Sequence, residues 1–408
     1  WTGGKLSSSS NTGYTLANAS TVSGTIQLGD VVNTGNLTLS GNMALAGNTT
    51  ISAFGNGAAN WTKDVVASGA GGQTISGTVS GGFGLTKDAA GALILTASNT
   101  FTGGVTLRQG LLRVGNAAAL GSGTVAILGG QLSSQSTTAY TLANAVTLGG
   151  DVTIGDGVSN GALTFSGTST LTGNRTLIMP SAVTYSGPIA GAGFGFTKQG
   201  LGTLTLSGSN TYTGATTVDA GAITLSGSNT GSILGSTAVT VNRGATLTLS
   251  NVQTTGNSTN RLGDTAAITL SGGVLAFTNT GTTAAAAFSE TTGALSLTGT
   301  QFSTIAVTGT TGTATLTFAS ISRGAAATLN LAGTTYGPNN RVVVTASSGL
   351  GIVNSISPWV TVSGSDFATY SSTGTTSLLP LASGSYQTGA ETGWVAVSYT
   401  HLTLPTKA

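Results

Sequence analysis

The chain has 408 residues, enough for two or three globular domains, yet only 5% are charged and the formal net charge is +2, against roughly 25% charged in ordinary soluble proteins. The twelve Lys and Arg form no basic cluster, which argues against a nucleic-acid partner, and without cysteine there is neither a disulfide framework nor a thiolate metal site. No apolar run is long enough to span a membrane as a helix, and the 65 glycines keep no three-residue period, so neither a transmembrane bundle nor collagen is expected.

From its first residues the chain is built of itself. Gly3 to Asp30 (GGKLSSSSNTGYTLANASTVSGTIQLGD) returns 126 residues later as Gly129 to Asp156 (GGQLSSQSTTAYTLANAVTLGGDVTIGD), with 17 of 28 positions identical and no gap. Phe83 to Val114 returns as Phe194 to Leu225 at an offset of 111, with 14 of 32 identical. Such recurrence marks an array whose units bury their apolar faces against one another. Between the repeats run short alternations, Leu37-Thr38-Leu39, Leu93-Ile94-Leu95, Leu204-Thr205-Leu206 and Leu247-Thr248-Leu249, bounded by Gly, Asn and Ser. They read as strands with one buried face, while the dominance of β-branched residues and Gly disfavours helix.

Strands this short need neighbours on both edges, and stacked coils supply them, so the expected fold is an all-β parallel β-solenoid. At roughly 20 to 25 residues per coil and roughly 4.8 Å per strand, the chain would make roughly 16 to 20 coils. The solenoid is expected over 1–335, in units of about 3–128, 129–256 and 257–335. An irregular β region is expected over 336–397.

The two offsets differ by 15 residues, so the first unit carries extra chain between Asp30 and Phe83, placed nearest Phe54 to Gln73. Extra chain in a solenoid leaves as a loop, and binding tends to reside on such loops. Trp61, Lys63 and Asp64 sit there, an aromatic platform flanked by charge that could stack on a sugar; the plainer alternative is a Trp folded back as a lid on its coil. Elsewhere the chemistry is thin. The one histidine is His401, so no imidazole base, triad or histidine metal site is assigned. Asp30 and Asp156 hold equivalent corners and read as turn residues. Asp151, Asp156 and Asn160 form the densest oxygen cluster, but without EF-hand spacing or a G-G-x-G-x-D nonapeptide no calcium site is assigned, and no cofactor is expected. Lys87 and Lys198 share a repeat position and read as residues that keep a corner solvated, rather than as a polyanion-binding ladder. The Gly-rich pieces GGFG and GAGFG lack a P-loop lysine and the helix that phosphate binding requires.

The runs Gly84-Leu85-Thr86-Lys87 through Asn99-Thr100-Phe101-Thr102-Gly103, and Gly195-Phe196-Thr197-Lys198 through Asn210-Thr211-Tyr212-Thr213-Gly214, resemble the passenger-associated β-strand repeat of autotransporters. That pattern is G-x-T-K-x-G-x-G-x-L-x-L-x-x-x-N-T-Y/F-T-G-x-T followed by G-x-L. The second copy carries Gly200, Gly202, Leu204, Leu206 and Thr217 in place, whereas the first has Ala89 where a glycine belongs. Asn260 to Phe277 and Asp366 to Tyr370 are similar to segments of large bacterial surface proteins.

The resemblance implies a right-handed β-helix and a passenger secreted from, or displayed on, a Gram-negative-type bacterium. It points to a non-enzymatic adhesin or structural stalk whose partners are host or environmental glycans or cell-surface proteins. The rival is a carbohydrate-active β-helix enzyme, a polysaccharide lyase or hydrolase, which would set two or three carboxylates on one face. A phage or biofilm fibre is a third reading. The amphipathic strands of a membrane barrel are not found, so the translocator or anchor is expected elsewhere, and the position of Trp1 suggests a start inside a longer array. Ser398 to Ala408 (SYTHLTLPTKA) resembles a translated sequencing adapter and is expected to be loosely attached.

Overall fold

In a computed structural model of the protein the described residues are 1–30, 35–54, 72–157, 161–227, 230–251, 260–279, 288–309, 313–333, 340–346, 349, 356–363, 366–371 and 377–380. They form strands and turns with no α-helix, and stacked coils make a parallel β-solenoid of about 12 turns. Among these residues no helix is long and apolar enough to cross a membrane.

The alternation read in the sequence is the alternation that builds the rod. In Leu163–Phe165 the two apolar side chains point in and Thr164 points out, and Val183–Tyr185 repeats this one coil later in register. Phe165 and Tyr185 therefore stack inside, with centroids 4.8 Å apart and rings inclined by 17°. That separation is the coil spacing itself, and it also suits aromatic packing. Leu93, Leu112, Leu132 and Ile154 form another fully buried column of this kind.

The expectation of roughly 16 to 20 coils is corrected downward because several coils are longer than the roughly 20 to 25 residues assumed. Hydrogen bonds between stacked coils span 20 residues from Asn99 to Val79, 23 from Asn242 to Asp219 and 31 from Asn340 to Gly309. The largest step, 36 residues from Asn42 to Thr78, brackets residues 55–71, which lie outside the described residues. It holds the excess chain expected between Asp30 and Phe83.

Three faces run along the rod. The first stacks Leu85–Asp88, Val105–Leu107, Val125–Ile127, Val146–Leu148, Ser169–Leu171 and Ile189–Ala190. The second stacks Ala92–Leu95, Leu111–Val114, Gln131–Ser134, Val152–Ile154, Arg175–Ile178, Phe196–Gln199 and Thr216–Val218. The third stacks Tyr140–Leu142, Leu163–Phe165, Val183–Tyr185, Thr203–Leu206, Ala222–Leu225, Thr246–Asn251, Val274–Asn279, Phe302–Gly309 and Thr328–Ala332. Repeat-equivalent strands do not share a face: Leu85–Asp88 is on the first and Phe196–Gln199 on the second.

Parallel pairing runs on to Leu329–Leu331 against Val360–Val362. There the direction changes. Ile356–Val362, Asp366–Ser371 and Ser377–Pro380 pair antiparallel in succession, and the last also pairs antiparallel with Asn340–Ala346. This meander occupies strand edges that a further parallel coil would use.

Candidate functional site

The structure corrects the reading of Lys87 and Lys198 as solvated corner residues: both are 0% exposed. In Leu85–Asp88 the period of two turns Leu85 and Lys87 inward. The Lys87 Nζ donates to the carbonyls of Asp88 at 2.8 Å, Ala89 at 2.6 Å and, one coil on, Gln109 at 3.1 Å. Lys198 repeats the arrangement, donating to the carbonyl of Gly200 and, at 3.0 Å, to that of Ala220 in the next coil. Each ammonium so ties its own turn to the turn above. Burial pushes the Lys87 pKa down to about 7, opposed by the Asp88 carboxylate, and burial pushes Lys198 down to about 8. Glycine makes the room, since a Cβ on Gly110 or Gly221 would stand 2.7 Å from the lysine Nζ.

The other recurring residues also serve stacking. Asn99 Oδ1 accepts from the Val79 N–H at 2.8 Å while its Nδ2 donates to the Ala119 carbonyl at 2.6 Å, which joins three coils through one amide. Asn210 likewise accepts from the Ile189 N–H and donates to the carbonyls of Gly208 and Ser232. Phe101 and Tyr212 are fully buried, and the Tyr212 hydroxyl sits 2.6 Å from Thr216 Oγ1.

Ala89, the departure from the repeat pattern, has φ +63°, where its counterpart Gly200 has +79°. Left-handed backbone strains any residue with a Cβ, partly offset by the greater freedom glycine has when unfolded. Ala89→Gly should accordingly stabilise the protein by about 0.5–1 kcal/mol in urea denaturation; a lower midpoint would contradict this account of the glycine.

The carboxylates are tied into the scaffold. Asp30 and Asp156, read as turn residues, are buried ion-pair partners: Asp30 lies 3.1 Å from Lys5 and Asp156 lies 3.3 Å from Arg113. Asp151 is exposed and accepts from the Thr176 N–H at 2.8 Å, so the oxygen cluster read around Asp151 divides between surface and interior. Asn160 lies outside the described residues. Asp88 accepts from the Ala89 N–H and Gln109, and Asp219 from Gln199 and Asn242. Among the described residues no group of three His, Asp or Glu is placed to hold a metal ion.

Sequence reasoning gave no role to Arg261 or Glu290, which form the densest polar network. Arg261 is 0% exposed. Its Nε and Nη2 donate to Asn251 Oδ1 at 2.9 and 2.7 Å, its Nη1 to the carbonyls of Thr230 and Gly231, and its Nη2 to that of Gly227. The Glu290 carboxylate accepts from the Arg261 and Leu262 N–H groups. Burial pushes the Glu290 pKa up to about 7, against the pull of those N–H groups and the guanidinium and with some help from Asp264. Arg261 is pushed down to about 10 by burial.

These shifts set a pH dependence. Glu290, raised when folded, holds its proton after the unfolded chain has lost it, so stability falls as pH rises from about 4.5 to about 7. Lys87 and Lys198, lowered when folded, lose theirs first, so stability rises from about 7–8 towards 10.5. Melting temperatures at mildly acidic, neutral and mildly alkaline pH should pass through a minimum near neutrality. A maximum there would show that these groups do not govern the profile.

Trp61, Lys63 and Asp64, the ligand-binding residues expected from sequence, lie outside the described residues. No curated protein and no solved structure shows significant similarity to the chain. Residues 85–114 and 196–225 match the family model described as the passenger-associated-transport-repeat, and these are the two blocks in which a buried lysine fastens successive coils. The chain thus carries two copies of the passenger-associated transport repeat within a parallel β-solenoid.

Proposed function

We propose that the chain is an autotransporter-type passenger segment, displayed on or secreted from a Gram-negative-type bacterium, which serves as an adhesin or structural stalk rather than a catalyst. The observation that carries this reading is the fate of the recurring residues. Lys87, Asn99 and Phe101, with Lys198, Asn210 and Tyr212, are all turned inward and spent on holding coil to coil. A carbohydrate-active enzyme of this shape would present two or three carboxylates to its substrate. Here Asp30, Asp156 and Glu290 are buried and engaged. We assign contact with glycans or cell-surface proteins to Trp61, Lys63 and Asp64, in the coil whose step is 36 residues.

Two measurements test this. Placed between a signal peptide and a translocator barrel in a Gram-negative host, the chain should become accessible to antibody on intact cells. The purified chain should release no product from pectin, alginate, glycosaminoglycan or cell-wall polysaccharide, with or without calcium. Cleavage that disappears on replacing Asp151 or Asp219 would install the enzyme reading instead.

A further inference from the structure

The third face differs from the other two in what it lacks. Its nine strands, Tyr140–Leu142 to Thr328–Ala332, carry no Asp, Glu, Lys, Arg or His. The first face holds Asp88 at its surface and the second Arg175, with Lys87, Arg113 and Lys198 buried beneath them. Outward positions on the third face keep unbroken register: Thr141, Thr164, Thr184, Thr205, Thr224 and Thr248 are paired strand to strand in one row. Thr203, Ala222 and Thr246 form the row beside it. Spacing is set by the sheet, roughly 4.8 Å along a row and roughly 6.7 Å between alternate residues of a strand. Thr164, Thr184, Thr205, Thr224 and Thr248 are half-buried. Among the described residues none of these five hydroxyls has a hydrogen-bond partner in the protein.

What fits such a surface must be uncharged, periodic and able to hydrogen-bond. A charged ligand would meet no counter-charge across nine strands. A sugar chain would want a run of outward aromatic rings to stack on, and here Phe165, Tyr185 and Phe277 are all 0% exposed, turned into the core, which leaves Phe302, 49% exposed at the start of its strand, as a lone well-exposed ring among these strands. Water is matched on each count. χ1-stiff threonines on a hydrogen-bonded sheet present alternating methyl and hydroxyl groups in a fixed mesh, with no charge to orient water differently.

We propose that this face binds ice, its threonine rows anchoring the ordered water of a crystal surface. The inference goes beyond the passenger reading and does not depend on it, because it concerns the purified chain in solution.

The test is ice recrystallisation and thermal hysteresis with the full chain. The parent protein should restrain crystal growth. The pair Thr205→Lys and Thr224→Lys, in the middle of the row, should abolish that restraint with an unchanged circular dichroism spectrum, while Thr106→Lys on the first face should keep it. Should the double substitution unfold the chain, Thr184→Val and Thr205→Val, which keep shape and remove hydroxyls, should still lower it. Ice growth unaffected by the parent protein overturns the proposal, as does activity that survives the lysine pair. So does a parent dimer in sedimentation that the lysine pair makes monomeric, since the face would then be covered by a second copy.

Discussion

Arg261→Leu should destabilise the coils around residues 227–297 by about 3–5 kcal/mol, the usual cost of removing one partner from a buried ionic network. Leucine fills the stem of the cavity but leaves the carbonyls of Gly227, Thr230 and Gly231 and the amide oxygen of Asn251 without the donors they now have. Buried acceptors stranded in this way cost about 1–3 kcal/mol each before relaxation. Glu290 also loses its nearest cation. A solenoid is held by neighbour contacts, so the loss should stay local. Urea titration followed by far-UV circular dichroism should resolve an early transition absent from the parent. Glu290→Gln, which keeps an oxygen for the two N–H groups, should cost far less. A single transition at the parent midpoint for Arg261→Leu would mean that the network does not hold these coils.

Lys198→Met is expected to cost about 2–4 kcal/mol, because the straight apolar side chain refills the space but cannot donate to the carbonyls of Gly200 and Ala220. The comparison is Lys5→Met. Lys5 also has an oxygen partner, Asp30 at 3.1 Å, but its side chain is 49% exposed, and water can take its place at a cost under about 1 kcal/mol. The two substitutions remove the same charge, so their ratio separates burial from charge. Equal losses, measured as urea midpoints, would show that Lys198 owes its place to electrostatics at the surface.

The fold was legible because its cause is short-range. Period-two alternation and glycine corners state which side chains face in, and gapless repeats state that coils stack. Lys87 is legible by the same rule, since Leu85 and Lys87 are two apart and must share a face; what the local sequence does not show is that three carbonyls, one of them in the next coil, replace the water a lysine usually keeps. Arg261 was not legible in that way. Its partners Gly227, Thr230 and Gly231 lie 30 to 34 residues away, and which coil position meets which depends on coil lengths that vary from 20 to 36 residues. The same variation defeated the coil count.

Because Leu85–Asp88 and Phe196–Gln199 lie on different faces, the sequence period and the rod's winding are out of step. A duplicated unit adds a fractional number of turns, so gaining or losing one would swing everything distal to it around the long axis as well as shifting it outward. Length variation in such an array changes bearing as much as reach. A site beyond the added unit would then look out from a different side of the rod than the same site before it.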